Sequence, residues 1–214
     1  MKIFGLGDNW LIEDQLNNEL LNDFKYFFDK NLEFLYCDKE GYGLKGNNKL
    51  YWIEKRGEKP FFYKNKEYED IERRYRKEIH KRLKAASFLR TDDTQLNHNT
   101  AWTILGEEGS YHRVHVHGTG LIGAISTVLY LDVPESEESS GDNSIFLVLN
   151  ISRRNSFLKN DMPDIVHVNP KPGTLLIFPS HIPHGTYPQK KGIRHNFNVD
   201  YTFCMESKST INYF

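Results

Sequence analysis

Cysteine is nearly absent from this chain: among 214 residues, Cys37 and Cys204 are the two thiols. Two cysteines exclude a disulfide framework and a Cys-rich zinc site, and they fit a reducing compartment. Long hydrophobic runs are missing as well. The N-terminal stretch MKIFGLGDNWLIEDQL holds no extended apolar segment, and no run approaches membrane-spanning length. A cytoplasmic protein without a membrane anchor is the expectation. Charge of one sign is also lacking, since 28 Lys and Arg nearly cancel 29 Asp and Glu to leave a formal net charge of -1. That balance gives no global reason to expect membrane binding and argues against a nucleic-acid partner. There is no internal repeat and no low-complexity tract.

Large rings are plentiful. Fourteen Phe and twelve Tyr are many for this length, and such residues suit strands and sheet-on-sheet cores. Residues 8–30 read as a helix capped by Asp8 or Asn9, with Ile12, Leu16, Leu20, Phe24 and Phe27 on one stripe. Residues 41–63 have Gly-Asn-Asn and Arg-Gly breaks between short aromatic runs, which predicts one or two hairpins. A second helix is expected over about 67–86, with Tyr68, Ile71, Tyr75, Ile79 and Leu83 at three- and four-residue steps. Its other face is basic. A solvated surface accounts for that more simply than a docking face for an acidic partner or an RNA.

From Asn99 onward the pattern becomes β. NTAWTIL, YHRVHVH, IGAISTVLYLDV, SIFLVL, DIVHV, GTLLIFP and RHNFNVDYTF are short, β-branched or aromatic, and separated by Gly, Pro, Asn or Ser. Such spacing without intervening helices indicates a sandwich or jelly roll rather than a parallel α/β sheet. No linker is evident. The expectation is a single domain over 1–214: a helical and hairpin flank at 1–98 and a mainly β jelly-roll core at 99–206. The polar stretches at 133–143 and 152–163 read as loops.

Histidine supplies the chemistry. Eight of the nine His (His98, His112, His115, His117, His167, His181, His184 and His195) fall between residues 98 and 195. In a strand, His115 and His117 share a face, so both imidazoles can reach one metal ion, while His112 would face away. An isolated HxH is a weak motif. Further on, Lys171-Pro172-Gly173 makes a turn, TLLIF a strand, and Phe178-Pro179-Ser180 leads into His181-Ile182-Pro183-His184. Ten positions past His184 stands Arg194, opening RHNFNVDYTF. A guanidinium there invites an anion, and a bidentate carboxylate would satisfy it well. His181, in a Pro-containing loop, reads as entrance or surface. Asp132 and Asp200 lack ligand spacing to HVH, and His167 and His195 suggest no role.

At this point a resemblance becomes specific. PGTLLIFPSHIPHGTYP…GIRHNFN is similar to the distal half of the 2-oxoglutarate/Fe(II)-dependent dioxygenases related to prolyl 4-hydroxylases, and HVHGTGLIGAISTVLYLDVP resembles their HxD strand and the strand after it. The likeness covers about residues 99–204. It implies a double-stranded β-helix that binds Fe(II) and 2-oxoglutarate. With O2, such a protein hydroxylates a small-molecule or peptide substrate as 2-oxoglutarate loses CO2 to give succinate. Residue by residue, His115 and His184 match the metal His, Arg194 the carboxylate-binding Arg, and Tyr130 a Tyr that helps hold that carboxylate. Asn196 stands where many members have Ser or Thr. Trp102 and Tyr111 sit on strands that can wall the pocket.

His117 is the departure, since it replaces the acid of HxD and implies a triad of His115, His117 and His184. This HxH form resembles a subgroup of oxygenases with an SGVYYL-like strand and FPS…H. Three neutral ligands leave one more positive charge than two imidazoles and a carboxylate, which strengthens attraction for dianionic 2-oxoglutarate and weakens the set for a hard cation. Alternatively, His117 is no ligand, and water or an anion takes its position. Two further readings stay open: a three-His cupin dioxygenase that does not use 2-oxoglutarate, and a jelly-roll binding module without catalysis. The identity of the substrate is not written in these motifs.

Overall fold

The computed structural model describes residues 1–38, 43–54, 65–89, 94–117, 124–135, 144–149 and 165–205. Its centre is an eight-stranded sheet in the order β1-β2-β11-β8-β13-β6-β5-β3, faced by a three-stranded sheet β10-β9-β12. The second half of the chain supplies β6 (Thr94–Gly106), β8 (Ala124–Asp132), β9 (Ile145–Val148), β10 (Ile165–Val168), β11 (Thr174–Pro179), β12 (His184–Thr186) and β13 (Arg194–Met205). This is the jelly roll that the alternating runs predict. The polar loops expected at 133–143 and 152–163 fall almost wholly outside the described residues.

The first half departs from expectation at its start. Residues 9–15 are not helix; β1 (Lys2–Leu6) and β2 (Asn9–Gln15) form a hairpin. β2 then pairs with β11, Ile12 opposite Ile177 and Gln15 opposite Thr174. The hairpin relies on glycine. Gly5 has φ +93, and a Cβ there would lie 2.1 Å from the Asn9 carbonyl oxygen. Helix α1 (Asn18–Asn31) begins later, capped by the Asn17 side chain, which accepts from the Leu20 N–H at 2.9 Å. Ile12 and Leu16 still enter the same core as Leu20, Phe24 and Phe27, but from a strand and the turn after it.

Helix α2 (Lys66–Ala85) matches the predicted span and buries Tyr68, Ile71, Tyr75, Ile79 and Leu83. Asn65 caps it by accepting from the Glu67 and Tyr68 N–H groups. Four arginines of this helix, Arg73, Arg74, Arg76 and Arg82, form ion pairs with its own acids and with its neighbours. Arg82 donates to Asp14 at 2.7 Å and to Glu78 at 2.6 Å, and Arg74 reaches Asp23 at 2.7 Å. Arg73, Lys77, Lys81 and Lys84 are exposed, as a solvated face requires, whereas Arg82 is buried. Strands appear at β3 (Tyr36–Asp38), β4 (Leu44–Lys45) and β5 (Asn48–Glu54), with β5 pairing with β3 and β6 and β4 with a later strand, while residues 41–42 and 55–63 of the predicted hairpin region lie outside the described residues. No described helix is long and apolar enough to cross a membrane.

Strand parity divides the molecule into two cores. The outer face of the large sheet presents Ile125, Leu129, Leu175, Ile177, Phe197 and Val199 to the two helices, where Phe24 and Tyr75 lie 4.8 and 5.6 Å from the Phe197 ring. Its inner face presents Leu11, Val128, Tyr130, Leu176 and Phe178 to Ile145, Leu147, Val166 and Val168 of the smaller sheet. With both faces covered, β8 is buried from Ala124 to Leu131, including Ser126 and Thr127. The functional residues occupy the unfilled end of this inner space.

Candidate functional site

The expected HVH strand is short. β7 (Tyr111–His112) ends at His112, where it pairs with β4, and His115 then forms a single β-bridge to His184. The two residues exchange backbone hydrogen bonds, His115 N–H to His184 O at 2.9 Å and the reverse at 3.0 Å. His117 is tied by its own N–H to the Ser180 carbonyl at 2.9 Å. Three ligand-capable imidazole nitrogens, one each from His115, His117 and His184, consequently lie within 4.8 Å of one another. The sequence expectation that His112 faces away is overturned. Its ring stacks on His115 at 3.7 Å, because the chain leaves extended geometry after His112 and the two-residue alternation no longer holds.

Hydrogen bonds orient the rings. His115 Nδ1 lies 2.8 Å from the Arg113 carbonyl and His184 Nδ1 2.9 Å from the Ile182 carbonyl. A carbonyl can only accept, so each Nδ1 carries the proton and each Nε2 offers a lone pair. His117 Nδ1 lies 3.0 Å from Asp200 Oδ1 and 2.9 Å from Ser126 Oγ, and its Nε2 comes within 3.0 Å of His115 Nε2. Two lone pairs facing each other at that distance repel unless a proton or a cation lies between them. Burial, with the neighbouring imidazoles, pushes His115 down to about 3 and His184 well below the ordinary histidine value. Both are held neutral, the form that binds a metal. This donor set fits a borderline divalent ion such as Fe(II).

The FPS segment acts through packing and a hydroxyl. Phe178 sets its ring against His184 at 4.8 Å, and Ser180 Oγ is 2.9 Å from Ser126 Oγ. Trp102 packs edge-on against His117 at 5.1 Å.

The other end of the same pocket holds the predicted carboxylate-binding group. Arg194 is buried, its Nη2 donates to Thr186 Oγ1 at 3.1 Å, and burial lowers its pKa. The Tyr130 hydroxyl is fully buried and has no hydrogen-bond partner among the described residues. Burial raises that phenol to about 12, so it remains a neutral O–H donor. Asn196 stands opposite Tyr130 in the β13–β8 ladder, its Oδ1 accepts from Asn198 at 2.8 Å, and it lines the same cavity. The lining includes all of these together with Trp102, Ile104, Val128, His112 and Thr186. Tyr111 does not line it.

Two residues here were not singled out as part of the site from sequence. Thr186 accepts from both Arg194 and the His112 N–H, and Asp200 meets His117. Parity carried the signal for each. Thr186 is two residues past His184, and Asp200 follows Arg194, Asn196 and Asn198 along one face of β13. His181 is exposed and contacts Asn9, His167 stacks on Tyr187, and His195 is buried on the outer face against Thr103.

Residues 100–198 match a family model described as "Putative 2OG-Fe(II) oxygenase". No curated protein matches the sequence. Similar solved structures include a prolyl-4-hydroxylase from Pseudomonas putida, 16% identical with a TM-score of 0.56, covering 90% of this chain and 91% of that one. A 2OG-Fe(II) oxygenase family oxidoreductase from Burkholderia pseudomallei is 11% identical with a TM-score of 0.65, covering 90% and 85%. HygX from Streptomyces hygroscopicus, solved with nickel and 2-oxoglutarate bound, is 14% identical with a TM-score of 0.58, covering 90% and 82%. At these identities the structures share the fold with this chain.

Proposed function

We propose that this chain, whose residues 100–198 match a 2OG-Fe(II) oxygenase family model, hydroxylates a C–H bond of a small molecule or a peptide side chain. The observation that carries the reading is the pairing of two functions in one pocket: three convergent imidazoles at one end and a buried guanidinium at the other. His115, His117 and His184 would hold Fe(II). Arg194 and Tyr130, with Asn196 beside them, would hold the far carboxylate of 2-oxoglutarate.

Iron(II) bound with 2-oxoglutarate and O2 supplies an oxidation in which one oxygen atom enters succinate, CO2 leaves, and the other oxygen atom enters the substrate C–H bond. The protein supplies binding and orientation. Arg194 and Tyr130 present a charged and a neutral donor from adjacent strands of one rigid sheet, an arrangement that matches a carboxylate. Trp102, Ile104 and Val128 give the same pocket apolar walls. The hydrogen bonds on Nδ1 hold each imidazole in the tautomer that leaves Nε2 available.

The test is direct. Under anaerobic conditions, Fe(II) plus 2-oxoglutarate should give a weak visible charge-transfer band, and admitting O2 should yield succinate. Absence of the band together with unchanged behaviour of Arg194→Ala would sink the reading. Metal binding and O2 consumption without succinate would instead favour a three-His dioxygenase that does not use 2-oxoglutarate, a reading supported by the Nε2 of His117 facing the other two rings.

A further inference from the structure

Position 117 is where the related oxygenases carry an acid, and here the acid has gone from the centre but not from its surroundings. Asp200 Oδ1 lies 3.0 Å from His117 Nδ1, on the side of the ring away from His115. The other two imidazoles have backbone carbonyls in the corresponding position, Arg113 and Ile182. Among the described residues, His117 alone of the three therefore has a carboxylate behind it. Both partners are mostly enclosed, with side-chain exposures of 11% for His117 and 14% for Asp200.

The carboxylate is itself held in place. Ser126, the register partner of Asp200 on β8, donates its hydroxyl to Asp200 Oδ1 at 2.7 Å. With that proton committed, Ser180 must be the donor in its 2.9 Å contact with Ser126 Oγ. A chain thus runs Ser180 to Ser126 to Asp200, with His117 joining at the same oxygen. Asp200 also sits where the β13–β6 register shifts, between Asp200 and Tyr201. Such irregularities re-aim side chains, and they recur beside functional sites.

We propose that Asp200 is the positioning residue of the metal centre: it fixes His117 with its proton on Nδ1 and returns to the site, one hydrogen bond further out, the negative charge that HxH lacks. The inference rests on the reading of His117 as a ligand given above. A carboxylate hydrogen-bonded to a metal-binding imidazole makes that imidazole a stronger donor, and removing such a partner typically weakens metal affinity by about 10–100-fold. The HxH set then resembles the usual two-imidazole, one-acid set in total charge while keeping three nitrogen donors.

The experiment is an anaerobic Co(II) titration of the purified protein, followed by the visible ligand-field bands, with thermal melts run alongside. Asp200→Asn keeps an acceptor for His117 but loses the charge, so it should bind Co(II) about 10–100-fold more weakly than wild type. Asp200→Ala should bind more weakly still, and both should shift the ligand-field spectrum. The deciding comparison is made in a His117→Ala background, where adding Asp200→Asn should change Co(II) affinity by less than about twofold. An equal loss in both backgrounds would show that Asp200 acts on the fold rather than through His117 and would overturn the proposal. So would wild-type affinity in Asp200→Asn alone. Failure of the wild-type protein to bind Co(II) or Fe(II) would instead bring down the metal-centre reading itself, on which this one stands.

Discussion

His115 and His184 bond to each other through both backbone amides, at 2.9 and 3.0 Å, so two candidate metal ligands from distant parts of the chain are fixed side by side by main-chain geometry. That arrangement depends on close approach of β12 to the segment before His115. A Cβ on Gly185 would lie 2.9 Å from Phe146 Cζ and 3.0 Å from the His112 carbonyl oxygen. Gly185→Ala should push the two segments apart, at a stability cost of about 1–3 kcal/mol. Co(II) affinity should fall with it, as read by titration beside urea denaturation. Undiminished affinity would mean that the backbone pair does not set the site.

Arg194 and Tyr130 should govern 2-oxoglutarate without touching the metal. Arg194→Met removes a charge-assisted contact, for an expected loss of about 10–100-fold in 2-oxoglutarate affinity. Tyr130→Phe removes one neutral donor and should cost less, about 2–10-fold. Titration of the anaerobic Fe(II) complex with 2-oxoglutarate measures both, and Co(II) affinity should stay at the wild-type value. If Co(II) affinity fell with either substitution, the division of the pocket into two ends would be mistaken.

Placing an acid at position 117, as in an HxD motif, should not by itself make an HxD site. In His117→Asp, the new carboxylate loses the Nδ1 donor and shares its surroundings with Asp200, a like charge. Adding Asp200→Asn should then raise Co(II) affinity, by about 10-fold if one unfavourable carboxylate contact of about 1.4 kcal/mol is relieved. In the wild-type background the same substitution should lower affinity. The reversal of sign between backgrounds is the signature, and a change of the same sign in both would contradict it.

His195 predicts a pH dependence remote from the metal. Burial pushes it down to about 4 on the outer face, where it meets Thr103 at 2.8 Å and the Phe28 ring at 5.3 Å. Since the Thr103 hydroxyl donates to the Asn196 carbonyl, His195 Nε2 must be the donor to Thr103. Between about pH 6.5 and 4 the unfolded chain binds a proton at this residue that the folded chain refuses, so stability is full above that window and falls as pH drops through it. The loss has a ceiling of about 3 kcal/mol. His195→Gln preserves a donor to Thr103 and should flatten the pH dependence of urea midpoints relative to wild type. An unchanged slope would show that His195 does not titrate in this way.

Much of this protein is local and was legible. The β runs after Asn99, the α2 stripe and the ten-residue step from His184 to Arg194 are periodicities and spacings, properties of neighbouring residues. They determined the jelly roll, one helix and the candidate residues of both pocket ends. What the tertiary structure decided depends on partners far along the chain. Asn9–Gln15 carries residues that also suit a helical stripe, and pairing with β11, from across the molecule, makes it a strand. His112 joins the site because the strand stops at it, and no side-chain pattern announces that stop. Asp200 shares the face of Arg194 by simple alternation, but its meeting with His117 follows from the folding of β13 alongside β8 and the FPS turn. Spacing along the chain identifies ligands that lie close in sequence, whereas a supporting residue such as Asp200 is set by which strands become neighbours.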